Sequence, residues 1–310
     1  MLTFIVRRAV AMALTMLVVS VLVFLAMEYN IDNVAQKVLG PYSLDESREI
    51  WLEDNGYNKP LIVRYGSWLG GVLSGDFGQS IRYKSDVSDV LWRRFNRTVI
   101  LGLLTMALVI PISLALGVLA GMRESSRLDR VISVTSIVTT SIPEFASAPL
   151  LTGFFVFLLG WLPATSAMFH GFDPMQLILP VLVLVIYDFG YVTRMTRASM
   201  AEVMTTNYVR TAILKGVPYK KVIISHALRN ALITPFTVIM LQFNWLLSGV
   251  IVVESFFAYK GLGLLLLEAA LFQDVFLLEA ATLLVVFVAV LTHALSDVGY
   301  MYLNPRIRFS

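Results

Sequence analysis

Six stretches of this chain each run for about a membrane's thickness with almost no charge, and polar residues separate them. Ala9 to Met27 is the first, Thr98 to Met122 the second, and Val131 to about Trp161 the third, interrupted only by Glu144 beside Pro143. Met175 to Thr193 is the fourth and carries Asp188; Asn230 to Val253 is the fifth; Phe276 to about Tyr302 is the sixth and carries Glu279, His293 and Asp297. A backbone amide left unpaired in hydrocarbon is so costly that each run is expected to be helical. The expected fold is therefore an all-α integral membrane protein with six transmembrane helices. Pro111, Pro143, Pro149 and Pro180 lie inside these runs and predict kinks or span ends, because proline withholds an amide hydrogen from the helix. The first run follows Arg7 and Arg8 and has no convincing small-residue cleavage site after it, so it reads as a retained anchor helix.

Composition agrees with a hydrocarbon solvent: 57% of residues are hydrophobic, 15% are charged and the mean hydropathy is +0.77. Six spans within 310 residues leave no room for a separate soluble catalytic domain. The absence of cysteine removes disulfides, iron–sulfur clusters and thiol nucleophiles. The net charge of +3 is small, and its placement says more than its size. Arg7, Arg8, Arg123, Arg127, Arg130, the basic stretch from Arg194 to Arg229, Arg306 and Arg308 all fall on one side of a six-span chain. The short loops on the other side hold only Lys260. By the positive-inside rule both termini face the cytoplasm. The long segment from Tyr29 to Arg97 balances its acids and bases, is largely exempt from that rule, and carries Trp51, Trp68, Gly70, Gly71 and Trp92; it is expected to be a small outer subdomain.

The polar insert between the fourth and fifth runs carries most of the chemistry. Asn207 to Lys215 predicts a short helix, Gly216-Val217-Pro218 its stop, and Tyr219 to Arg229 a second helix leading into the fifth run. Gly216 suits a positive-φ bend, and a small residue there lets a helix end sit close against a partner. Lys215, Lys220, Lys221 and Arg229 supply charge for an acidic or carbonyl-rich groove. The alternative is a basic loop that obeys topology and touches anionic lipid. Within the spans Asp188 is the candidate for a substrate path, together with Gln242 and Asn244 in the fifth run; packing against a partner helix competes for Asp188. Asp188 lies six residues before Arg194, a spacing that does not put the two on one helical face. Asp297 has Arg306 and Arg308, or a partner subunit, as candidates for pairing.

Other chemistries lack their residues. No G-x-x-x-x-G-K-[ST] occurs, so the chain is not expected to hydrolyse ATP. His170, His226 and His293 stand in different segments without metal-ligand spacing, and no catalytic or metal site is expected. Gly261-Leu262-Gly263 reads as a turn, and the scattered basic residues do not form a nucleic-acid surface.

Tyr208-Val-Arg-Thr-Ala-Ile-Leu-Lys-Gly216 followed by His226-Ala-Leu-Arg-Asn230 resembles the cytoplasmic "EAA" loop of binding-protein-dependent ABC import permeases, as spelled in the dipeptide and oligopeptide branch. Lys59-Pro60-Leu61, Trp68-Leu-Gly-Gly71, Gly75-Asp-Phe-Gly-Gln-Ser80, Ser141-Ile-Pro143, Gly160-Trp-Leu-Pro163, Val253-Glu-Ser-Phe256 and Asn304-Pro-Arg-Ile-Arg308 match that branch in type and order along almost the whole chain. Lys260-Gly-Leu-Gly263 departs from the usual Pro-Gly-Leu-Gly, and Arg210-Thr211-Ala212 stands where the general pattern has Glu-Ala-Ala. The resemblance implies a type I importer permease fold of the first, B-type membrane subunit. Its parts would be an N-terminal tail and first helix over 1–28, a periplasmic segment over 29–97, and a permease core over 98–310 with a coupling loop over 194–230. It implies that Tyr208, Arg210, Thr211, Ala212, Lys215, Gly216, His226, Arg229 and Asn230 engage an ATPase. The implied partners are a second, homologous permease, two ATP-binding subunits carrying ATP and Mg, a periplasmic solute-binding protein and the lipid of a bacterial inner membrane. This chain would bind no cofactor. The implied cargo is peptides or similar small solutes such as opines, nickel chelates or oligosaccharides. An intramembrane enzyme and a stand-alone secondary transporter are the competing classes; the latter favours inverted-repeat symmetry, which the sequence does not display.

Overall fold

The structure, a computed structural model, describes residues 2–28, 35–36, 38–40, 42–169 and 171–303. Among them the chain is helical, apart from loops and one isolated antiparallel bridge between Gln79 and Asp86. The helices are α1 (Leu2–Glu28), α2 (Asp45–Asp54), α3 (Leu61–Ser74), α4 (Val87–Gly121), α5 (Arg127–Ser141), α6 (Glu144–Leu158), α7 (Met175–Met204), α8 (Asn207–Leu214), α9 (Tyr219–Ala231), α10 (Ile233–Gly249), α11 (Ile251–Phe256), α12 (Leu262–Phe272) and α13 (Val275–Leu303). α1, α4, α7 and α13 are each long and apolar enough to cross a membrane, and the count rises to six if the bent pairs α5–α6 and α9–α10 each make one span.

The third apolar run is not one straight helix. α5 and α6 meet at 98°, with Ile142 and Pro143 between them. Proline crowds the residue before it out of helical geometry, and Ile142 is accordingly extended at φ −95° and ψ 113°. α6 contains Pro149 and finishes in a π-helical turn over Gly153–Leu158. Pro111 and Pro180, by contrast, interrupt neither α4 nor α7. α9 and α10 meet at a gentler 50°, and α9 itself passes through a π-helical turn over Val222–Ala227.

The chain divides into two compact units, Met1–Thr98 with Lys260–Leu291, and Val99–Tyr259 with Thr292–Ser310. In the first, Val87, Val90 and Leu91 of α4 pack with Leu262, Leu265 and Ala269 of α12 and with Leu277, Ala280 and Ala281 of α13. Asp274 caps α13. Its carboxylate accepts from Ser80 Oγ at 2.5 Å and from the Arg82 amide at 3.1 Å, which ties the loop before α4 to that helix start. Tyr83 donates to Glu268 at 2.6 Å, and Arg94 Nη2 reaches both Tyr83 (2.8 Å) and Glu268 (3.2 Å). Burial, then the bond to Glu268, raises the Tyr83 phenol above its ordinary value, so it stays a proton donor at neutral pH. The charge-balanced segment is helical in α2 and α3. α3 rests on α1 through Phe24, whose ring lies 5.4 Å from both Tyr65 and Trp68.

In the second unit α7 is the central element, and small residues let its neighbours approach. A Cβ on Gly190 of α7 would fall 2.4 Å from the Ser136 carbonyl oxygen of α5. One on Gly117 of α4 would lie 2.4 Å from Thr196 of α7. Arg197 of α7 grips Asp129 of α5 with two bonds, Nη2 to Oδ2 at 2.8 Å and Nε to Oδ1 at 3.0 Å. Asp129 also accepts from the Ser125 amide at 2.9 Å, while the Ser126 hydroxyl caps α5 by accepting from the Asp129 amide. The carboxylate is buried, and removing its charge leaves Arg197 only its longer contact to Glu124, at 3.5 Å. Asp129→Asn is expected to cost about 3 kcal/mol, read as a lower thermal-denaturation midpoint of the detergent-solubilised chain. An unchanged midpoint would show that the pair adds nothing to stability.

Candidate coupling loop and substrate path

The polar insert folds as an elbow on the end of α7. Val209 and Ala212 of α8 and Val222, Ile223, Ala227 and Ala231 of α9 are buried against Met200 and Val203 of α7. α8 ends with two bonds that close its last turn, from the Gly216 amide to the Ile213 carbonyl (2.9 Å) and from the Val217 amide to the Ala212 carbonyl (3.2 Å). That pairing requires a left-handed residue after the cap, and Gly216 supplies it at φ +73°. Val217 then packs back into the elbow core, and Pro218 opens α9 at a position where its missing amide hydrogen costs no helical bond.

One face of the elbow is thereby fixed and the other is presented outward. Tyr208, Arg210, Thr211, Lys215, Gly216, Arg229 and Asn230 are exposed, and Asn230 Nδ2 donates to the Tyr208 hydroxyl at 2.8 Å. His226 is half-buried, its Nδ1 near the Lys221 carbonyl. Ala212 lies on the buried face. Ile213 and Leu214, which polarity alone does not single out, are exposed at the tip, Leu214 to 79%. Helical spacing does not foretell this for Ile213, which lies four residues after the buried Val209 and so shares its face; its exposure is decided by what packs against the elbow.

Asp188 sits within α7 with 0% exposure. Gln242 Nε2 of α10 donates to its Oδ1 at 2.7 Å, while Oδ2 has no hydrogen-bond partner among the described residues. Asp188 and Gln242 thus come together, whereas the Asn244 side chain lies outside the described residues, as do His170, Arg306 and Arg308. Among the described residues, no three His, Cys, Asp or Glu side chains gather as a metal site would require.

Comparison with known proteins decides the class. The family of binding-protein-dependent transport system inner membrane components matches residues 113–309, and the N-terminal family of the same transport-system membrane components matches residues 1–102. The chain belongs to this family. A putative peptide transport system permease protein of Brucella melitensis is 34% identical over 314 residues, covering 100% of both chains. The oligopeptide transport system permease protein AppB of Bacillus subtilis is 33% identical over 316 residues, again covering 100% of each. The glutathione transport system permease protein GsiC of Escherichia coli is 34% identical over 310 residues with the same full coverage. The chain is therefore a permease subunit of an ABC importer, an integral inner-membrane protein and a non-catalytic member of its transporter. Such a permease works with an ATPase and a solute-binding protein.

Proposed function

We propose that this permease forms half of the translocation path for peptides or similarly small polar solutes, paired with a second, homologous permease. The peptide and glutathione permeases it resembles at full length support that substrate class. Two ATP-binding subunits, carrying ATP and Mg, dock on the elbow within 194–230. Both termini and the elbow then face the cytoplasm, α5–α6 and α9–α10 each count as one of six spans, and residues 29–97 form the periplasmic subdomain. Tyr208, Arg210, Thr211, Lys215, Gly216, His226, Arg229 and Asn230 serve the docking face, with Ala212 holding its inner side. Asp188 and Gln242 belong to the path, with Asn244 two residues beyond Gln242 on α10.

The observation that carries this reading is the elbow itself: a well-capped, rigid turn with an apolar tip held out among basic residues. A loop with no partner has little reason to expose Ile213, Leu214, Tyr219 and Ile224 together. ATP-driven closing of the ATPases would move this turn, and α7, packed behind it, and α10, which continues from α9, would carry the motion into the membrane. Affinity purification of the tagged full chain in mild detergent tests the assembly. An ATPase and a second permease should co-purify. Transport activity from the chain alone in liposomes would overturn the reading.

A further inference from the structure

α2 and α3 both lie in the charge-balanced segment between α1 and α4, yet their surfaces are opposite in character. α2 holds Asp45, Glu46, Glu49, Glu53 and Asp54, all of them exposed. α3, of 14 residues, holds a single charge, Arg64. At about 100° per residue, Ile62, Val63, Gly66, Gly70 and Leu73 fall on one side of α3, edged by Ser67 and Ser74. All of them are exposed, Ile62 to 82% and Leu73 to 81%, and that side carries no charge. Arg64 lies off it, with its guanidinium 5.3 Å from the centre of the Tyr57 ring.

The place where α3 is fastened says what meets this side. The Tyr65 hydroxyl of α3 and Ser20 Oγ of α1 share a hydrogen bond at 2.7 Å, and the Phe24 ring of α1 packs on Tyr65 and Trp68. Ser20 and Phe24 both belong to Val6–Met27, the part of α1 that is long and apolar enough to cross a membrane. Ser20 precedes the end of that stretch by seven residues, about 10 Å of helix, so α3 is tied to α1 below the level at which α1 leaves the hydrocarbon. The same part of α1 exposes Leu17, Val18, Leu22 and Leu25. A helix held at that depth with a chargeless outer side meets the solvent that α1 meets, and Tyr65 and Trp68 on its inner side are residues that settle at headgroup level. We propose that α3 lies in the membrane surface where α1 ends, with Ile62, Val63 and Leu73 against lipid acyl chains. This rests on the proposed orientation only for the choice of leaflet: with the N-terminus cytoplasmic, it is the outer one.

Spin labels attached one at a time to the full chain in proteoliposomes test this, since the chain has no cysteine of its own. Ile62→Cys, Gly66→Cys and Leu73→Cys carry the label on the apolar side, where a Cβ at Gly66 meets nothing within 4 Å, and Glu49→Cys carries a reference on α2. Labels at Ile62, Gly66 and Leu73 should be relaxed by dissolved oxygen, shielded from a water-soluble nickel chelate, and read about 5–10 Å into the boundary between headgroups and acyl chains. The label at Glu49 should meet the chelate freely. Chelate access at Ile62 and Leu73 equal to that at Glu49 would place this side of α3 in water and overturn the proposal. Shielding from both oxygen and chelate would overturn it too, by showing protein cover; if that shielding appears only in the complete transporter, a partner subunit is the cover. Depth read in this way is the same on either side of the membrane, so an inverted topology would fail separately, through the reaction of Glu49→Cys with an impermeant thiol reagent in intact cells.

Discussion

Gly216→Val should leave the permease inserted in the membrane while transport and substrate-stimulated ATP hydrolysis fall together. The cost is conformational: a Cβ at Gly216 meets nothing within 4 Å, but φ +73° costs a β-branched residue about 1–2 kcal/mol. Relief of that strain requires the Gly216 and Val217 amides to leave the Ile213 and Ala212 carbonyls, and α8 then loses its defined end. The apolar tip would no longer be held at one angle to α7. Leu214→Asp separates docking from folding, because Leu214 is exposed and its replacement disturbs no core. A charge placed at an apolar contact of this kind should weaken ATPase binding about thirtyfold. Both variants are best read in proteoliposomes holding the complete transporter. Undiminished coupled transport in Gly216→Val would remove the elbow from the transmission path.

Asp188→Asn should lower transport of cationic substrates about thirtyfold, the worth of one hydrogen bond to a charged group, and neutral substrates far less. The carboxylate already accepts from Gln242 through Oδ1, while Oδ2 is buried with no donor among the described residues. A lone acceptor in such surroundings is costly to leave unmade. A substrate amine arriving as the helices rearrange would satisfy it, which is why the charge of the cargo should govern the size of the defect. Asparagine preserves the shape and the Gln242 contact, so basal ATP hydrolysis and assembly should persist. If Asp188→Asn instead prevents assembly with the second permease, the carboxylate is a structural pairing group. Equal effects on cationic and neutral cargo would likewise withdraw it from the path.

The helical nature of the apolar runs, their approximate limits and the elbow between the fourth and fifth were determined by the sequence alone. These features follow from local physics: hydrocarbon forbids unpaired backbone, and Leu214-Lys-Gly-Val-Pro218 spells a helix stop followed by a start. Individual helices still ran past their apolar limits. α4 starts at Val87, ahead of Thr98, and α7 continues to Met204, beyond Thr193, because charged residues such as Arg94 and Arg197 found partners on neighbouring elements. The bend between α5 and α6 was foreshadowed by Pro143, but its 98° angle was not, since proline excludes a conformation without choosing the one adopted. Asp129 with Arg197, Asp188 with Gln242, and Ser20 with Tyr65 are all distant in the chain. Which helices lie side by side decides such pairings, and that choice is made by close contacts such as Gly190 on Ser136, spread along whole helices and invisible in any local window.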